Sequence, residues 1–328
     1  MKEADIRPAD LFQKYLDLCA IDAVSYFETS ERKHIDCPAC NGSNIRHAFE
    51  KNGFGYVICN TCGTLYQSPR PAREAFDRFY KDSPSSQYWA HTFFPTVAEV
   101  RRKHLFRPKV EEIARLCSES HFKPEVIADI GAGFGIFLEE WRHHCPGTRL
   151  IAIEPNPDMA EICRGKHLSV TACFAEEATE LYEQIDLVIA FEVIEHVFDP
   201  LSFCNSLGKL LRTGGRVLFT GLTVDGFDIQ VLWESSKSLS PPHHINFMSV
   251  AGFEHLMKRA GFSDVNIFTP GKLDVDIVRN SIDGRPEFKD QQRFIHHLLQ
   301  KDSETQKAFQ KFLSDHQLSS HCWVWAQK

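Results

Sequence analysis

Val126-Ile-Ala-Asp-Ile-Gly-Ala-Gly-Phe-Gly135 carries a short β-branched run into three alternating glycines. The helical-looking Ile136-Phe-Leu-Glu-Glu-Trp141 follows at once. A strand that turns through glycines into a helix brings bare backbone close to a ligand. Downstream, Leu150-Ile-Ala-Ile153 reads as a second strand with Glu154 at its end. A carboxylate at that place can accept both hydroxyls of a ribose.

Two ligand classes use this layout, and glycine spacing separates them. A dinucleotide fingerprint, G-x-G-x-x-G, wants its third glycine where this chain has Ile136. The pattern here is D-x-G-x-G-x-G, from Asp129 to Gly135, and it resembles motif I of the class I S-adenosylmethionine (SAM) methyltransferases. Ile185-Asp-Leu-Val-Ile-Ala-Phe-Glu-Val-Ile-Glu-His196 resembles that superfamily's fourth strand and following loop. Its Phe-Glu-Val-Ile-Glu-His is close to the "EVLEH" signature of the ubiquinone-biosynthesis-like branch. Gly214-Gly-Arg-Val-Leu-Phe-Thr220 reads as a turn into a fifth buried strand, with helical segments near 157–166 and 199–211. Alternating strands and helices predict an α/β fold with a parallel sheet covered on both faces. A sixth strand is expected at 262–268 and a seventh, antiparallel, at 319–325.

The resemblance implies a Rossmann-like seven-stranded class I methyltransferase sheet that binds SAM. It places the methionine end over Asp129, Gly131, Gly133 and Gly135, and the ribose at Glu154. Phe174 and Ala175 would lie near the adenine, and Phe191 and Glu192 near the methionine portion.

A second signature lies upstream. Cys37-Pro-Ala-Cys40 and Cys59-Asn-Thr-Cys62 are two C-x-x-C pairs with 18 residues between them. Four thiolates placed by two tight turns make a tetrahedral site, and zinc is its usual occupant. Four cysteine ligands leave no position open to water, so the zinc is expected to be structural. The other seven cysteines, Cys19, Cys117, Cys145, Cys163, Cys173, Cys204 and Cys322, read as small buried hydrophobes.

These parts order the chain as an N-terminal helical segment (1–33), a zinc-ribbon domain (34–68), a linker or lid (69–96) and a SAM-dependent methyltransferase domain (97–328). Within the linker, residues 81–89 read as a polar loop ending in two aromatics, with Tyr88 and Trp89 expected to cover the cofactor. Val97–Ser118 has amphipathic helical spacing with a basic, solvated start at Arg101-Arg-Lys103. Residues 222–242 form a long connection of the kind that carries function.

The chain has 328 residues, 44 Asp and Glu against 37 Lys and Arg, and a formal charge of −7. Residues 31–82 balance at only +2. Both values argue against a nucleic-acid partner, which wants a basic surface. No apolar run approaches a membrane span and the first residues lack an apolar export segment, so no membrane partner and a cytoplasmic location are expected. Oligomeric state has no signature in the sequence.

The ribbon, Ser68-Pro-Arg-Pro71, the glycine turn and Ser240-Pro-Pro-His-His-Ile-Asn-Phe-Met-Ser249 together are similar to zinc-ribbon-bearing SAM methyltransferases of polysaccharide and natural-product pathways. Sugar 3-C-methyltransferases, of the same wider group, carry a Glu-His pair where this chain has His243-His244. The resemblance implies a small-molecule acceptor, sugar or natural-product-like. A hydroxyl acceptor needs its proton removed, and His244, His196 and His243 are the candidate bases. C-methylation of a nucleotide-linked sugar, an RNA or protein acceptor recognised by the ribbon, and a non-catalytic SAM-binding scaffold are the alternatives.

Overall fold

The structure is a computed structural model that describes residues 2–282, 288 and 291–328. The residues divide into two compact units. One comprises Met1–Phe93, Gly221–Phe253 and Ile267–Trp323, and the other Phe94–Thr220, Glu254–Asn266 and Val324–Lys328. The linear order expected from the sequence is therefore interleaved in space. Segments 221–253 and 267–323, read as parts of the methyltransferase domain, group with the N-terminal region.

The first unit contains the ribbon. Strands β1 (Ile45–Lys51) and β2 (Phe54–Cys59) form a hairpin closed by Asn52-Gly53. Both turn residues have positive φ, +48° and +73°, which suits a two-residue hairpin turn. Strand β3 (Leu65–Gln67) pairs antiparallel with β2, and Asn246–Phe247 adds a fourth strand from some 180 residues downstream. The long helix Ala9–Phe27 ends on a cluster in which Phe27 meets Phe54, Phe76 and Phe79. A second apolar cluster joins Leu232 to Val275, Val278, Ile282, Leu299 and Leu313.

Residues 84–88, expected in a polar loop, form a helix instead. Pro84 occupies its first turn and the Ser83 side chain accepts from the Ser86 backbone N–H. Serine before proline is a helix start, and the serine-rich composition concealed it. A π-helical turn, Trp89–Phe93, follows.

The second unit is built on a seven-stranded sheet of strands β4 (Val126–Ile130), β5 (Arg149–Ile153), β6 (Ser169–Thr171), β7 (Ile185–Phe191), β8 (Leu211–Leu222), β9 (Ser263–Phe268) and β10 (His321–Gln327). Their spatial order is β9-β10-β8-β7-β4-β5-β6. The β4–β5, β4–β7, β5–β6 and β7–β8 pairs are parallel. The Lys328 N–H donates to Gly215 O and the Thr223 N–H to Ser320 O, so β10 runs against β8, as expected. Asp186, fully buried at the start of β7, accepts from the N–H groups of Glu125 and Val126 and pairs with Arg212.

The helices between strands start by one shared device. Asn156 caps Pro157–Gly165 and Asp199 caps Pro200–Leu210, each accepting from two backbone N–H groups ahead of a first-turn proline. The expected helix 97–118 is interrupted: helices Phe94–Arg101 and Arg107–Glu119 flank a π-helical turn, Arg102–Phe106. Its basic start is not wholly solvated, because Arg102 is largely buried between Glu139 (2.8 Å) and Glu140 (3.0 Å). No described helix is long and apolar enough to cross a membrane.

Candidate cofactor site and cysteine cluster

At the C-terminal ends of β4 and β5 the glycine turn and Glu154 meet. Gly131, Gly133 and Gly135 have φ of +66°, +54° and +67°, a region that side-chain-bearing residues avoid. Gly135 is also sterically required: an added Cβ would stand 2.7 Å from Leu168 Cδ1. Glu154 is buried, and its two oxygens accept from Gly133 N–H (2.7 Å) and Asn156 N–H (2.9 Å). Burial raises its pKa, while those two N–H groups oppose the shift. Asp129 is also buried; desolvation, reinforced by the Glu154 charge, pushes its pKa well above the usual carboxylate range.

The turn's underside comes from the segment after Glu154. Cys163 Sγ–H donates to Gly133 O at 3.2 Å, and Lys166 Nζ donates to Phe134 O at 2.7 Å. The Phe134 ring lies parallel to that of Phe94, with centroids 4.7 Å apart. Phe174 and Ala175 follow β6: the Phe174 side chain is exposed, and Ala175 is buried.

The loop after β7 gathers charge. Phe191 packs edge-on against Phe137, and the Lys109 ammonium sits 4.2 Å over its ring centroid. Glu192 has φ +54°; its Oε1 accepts from Thr220 Oγ1 at 2.6 Å and lies 3.8 Å from Lys109 Nζ. Burial lowers the Lys109 pKa, and Glu192 opposes that shift. Glu195 is almost completely buried, and desolvation with the nearby Glu192 charge raises its pKa well above normal. His196, half-buried, closes a turn through its N–H to Val193 O.

Sequence reasoning missed Lys109, Glu195, Cys163 and Lys166. Lys109 had a signal: it stands four residues before the buried Ile113, on the helix's inward face. Glu195 lay inside the quoted Phe191–His196 segment, but its burial could not be read there, since one acid among apolar loop residues carries no period.

The remaining sequence candidates belong to the other unit. His243 is buried: its Nε2 meets Ser85 Oγ at 2.9 Å, and its ring contacts Tyr15, Phe79 and Tyr80. His244 is half-buried, with Nδ1 2.6 Å from Ser238 O and 3.2 Å from Ser240 Oγ. A Nδ1–H bond to a carbonyl fixes the tautomer that keeps the lone pair on Nε2. Tyr88, in the helix Pro84–Tyr88, carries Lys14 over its ring at 5.3 Å. Trp89 stacks on Phe93 at 4.4 Å.

The cysteine cluster forms within the first unit. Sγ atoms of Cys37 and Cys62 are 3.5 Å apart, as are those of Cys40 and Cys59, and all four lie within 4.8 Å of one another. A tetrahedral zinc with Zn–S near 2.3 Å has S···S edges of about 3.8 Å, so the four sulfurs fit that ion. Two similar turns deliver them: Asn41 N–H returns to Cys37 O, and Gly63 N–H to Cys59 O.

A family model described as "Methyltransferase domain" matches residues 101–267, just over half of the chain. The chain is similar to the ubiquinone biosynthesis O-methyltransferase of Ruegeria sp. (strain TM1040), 29% identical over 169 residues, covering 44% of this chain and 64% of that protein. The enzyme of the same description from Dinoroseobacter shibae is 29% identical over 186 residues, with coverage of 49% and 73%. The tRNA U34 carboxymethyltransferase of Aliarcobacter butzleri is 24% identical over 153 residues, 45% of this chain and 50% of that protein. The chain thus spans between half and three-quarters of these relatives. Among solved structures, the plantazolicin methyltransferase BamL, in complex with a triazolic desmethylPZN analog and SAH, superposes with a TM-score of 0.51 at 12% identity, covering 77% of this chain and 94% of that one. That likeness is one of fold. The chain belongs to the methyltransferase-domain family, as a SAM-dependent methyltransferase with the class I sheet.

Proposed function

We propose that this protein methylates a hydroxyl of a sugar or another small metabolite, with SAM held at the glycine turn and Glu154. The observation that carries the reading is Glu154 fixed against Gly133 N–H at the end of β5, inside the region matched by the family model. O-methylation is supported by the relatives described as O-methyltransferases.

SAM supplies an electrophilic methyl group on a sulfonium. Glu154 accepts the ribose hydroxyls, and the exposed Phe174 ring offers a face to the adenine. Glu192, just after β7, offers a carboxylate that suits a cationic cofactor, whereas burial favours the neutral form of Asp129 and Glu195. The acceptor hydroxyl gives its proton to a histidine. His244 is proposed as that base because its Nδ1 contact leaves Nε2 as the acceptor, and His196 is the second candidate. His243, buried against Ser85, is the weakest of the three.

A second reading, a nucleic-acid acceptor, draws on the tRNA-modifying relative. The net charge of −7 and the near-neutral ribbon oppose it. The deciding experiment incubates the protein with methyl-labelled SAM and separate pools of nucleotide-sugars, hydroxylated metabolites and tRNA, then determines the linkage of any labelled product. Label on oxygen of a small molecule supports the proposal. Label on carbon, or in tRNA alone, rejects it.

A further inference from the structure

We infer that Lys166 is a positioning residue for the cofactor turn, the member of a half-buried charge relay that fixes the Phe134 carbonyl. The inference rests on reading Asp129–Gly135 as the SAM-binding turn. Three left-handed glycines make that turn conformationally permissive, so its bound shape must be imposed from outside. One clamp is Glu154 at Gly133 N–H, on the side read as facing the ligand. The opposing clamp comes from the end of the helix that follows Glu154. There Lys166 Nζ divides its protons between Phe134 O (2.7 Å) and Glu139 Oε2 (2.7 Å).

Glu139 also receives Arg102 at 2.8 Å, and Arg102 reaches Glu140 at 3.0 Å. The side chains of Lys166, Glu139 and Arg102 keep only 24%, 20% and 20% of their exposure, so solvent screens the relay weakly. Cys163 holds the preceding carbonyl, Gly133 O. With both carbonyls drawn toward the helix end, the planar trans peptides direct the Phe134 and Gly135 N–H groups the opposite way. The Gly135 N–H so directed donates to Ala132 O at 2.8 Å, so an ammonium on the Phe134 carbonyl helps hold the closed form of the turn. The segment 94–106 meets the turn directly through Phe94 stacked on Phe134, and indirectly through Arg102 on Glu139 in the helix that follows. Cofactor affinity is therefore tied to a lysine that stands behind the turn.

The test measures SAH and SAM binding by calorimetry for wild type, Lys166→Met and Lys166→Arg, with thermal stability on the same preparations. Lys166→Met should weaken both ligands about 5- to 50-fold, and Lys166→Arg, which keeps charge and donors, should recover most of that loss. A folded Lys166→Met protein with wild-type affinity overturns the inference, as does a Lys166→Arg variant no better than Lys166→Met. A second measurement avoids dependence on the methionine variant's folding. Glu139→Gln leaves Lys166 in place but removes its anion. Backbone hydrogen exchange over 131–136 should then quicken and SAH affinity fall about 2- to 5-fold. Unchanged exchange and affinity in Glu139→Gln also overturn it. Wild-type protein that binds neither SAM nor SAH would instead defeat the reading of the turn itself.

Discussion

In the glycine turn proposed to hold the cofactor, the backbone is held by several modest contacts: Glu154 at Gly133 N–H, Cys163 at Gly133 O, Lys166 at Phe134 O, and Phe94 against Phe134. In the ribbon, four sulfurs converge from two similar turns onto one point. The first arrangement is distributed, and removing one partner leaves the others in place. The second is concentrated, because a tetrahedral metal site with three ligands is a different site. Single substitutions should therefore act in graded fashion on the turn and in nearly all-or-none fashion on the ribbon.

The largest effect is expected at the ribbon. Zinc binding to such sites represents on the order of 10 kcal/mol of folding free energy. Cys59→Ser should lose the metal and expose residues 34–68 to limited proteolysis. Metal analysis giving one equivalent in wild type and much less in the variant would support the contrast; full zinc retention would break it.

Next in size is the proposed base. His244→Ala should lower turnover by roughly 10²- to 10⁴-fold while SAM binding is kept. If the histidine only shapes the chain before Asn246–Phe247, thermal stability will fall and turnover per folded molecule will not. Measuring both on one preparation separates the two roles.

On the distributed side, Glu154→Ala should weaken SAM by about 1–3 kcal/mol without unfolding the protein, read by calorimetry. Loss of folding from this single change would show the turn to be as concentrated as the ribbon.

An effect of the same order, but confined to alkaline pH, is expected at Asp228, which belongs to neither site. Asp228 is fully buried, and burial together with the neighbouring Asp274 carboxylate pushes its pKa up to about 8. The folded protein keeps a proton that the unfolded chain loses near pH 4, so this group's contribution to stability is greatest in acid. It declines as pH rises and is gone above the folded pKa. Asp228→Asn should be more stable than wild type by about 1–3 kcal/mol at pH 8.5, with the gap closing toward pH 4. Parallel denaturation curves for the two proteins at both pH values would refute the assignment.

The sequence by itself determined whatever depends on short-range pattern. The D-x-G-x-G-x-G turn, the acid just after the second strand and the paired C-x-x-C motifs are local, because a turn or a metal knuckle is closed by neighbours in the chain. The strand and helix alternation set the sheet's class, since a β-branched run between helices has one good way to bury both faces. The strand ends were legible to within a few residues: the seventh strand, expected at 319–325, occupies His321–Gln327.

Tertiary structure decided what depends on distant partners. Asn246–Phe247 completes the ribbon sheet because an edge strand takes its hydrogen bonds from whichever segment packing supplies, and no local pattern names that segment. Arg102 read as a solvated start until Glu139 and Glu140 came to meet it. His243 and His244 are adjacent in sequence, yet one is buried against Ser85 while the other turns its Nδ1 to Ser238. A histidine's chemistry follows from burial and from the partner of each ring nitrogen, and both are properties of packing.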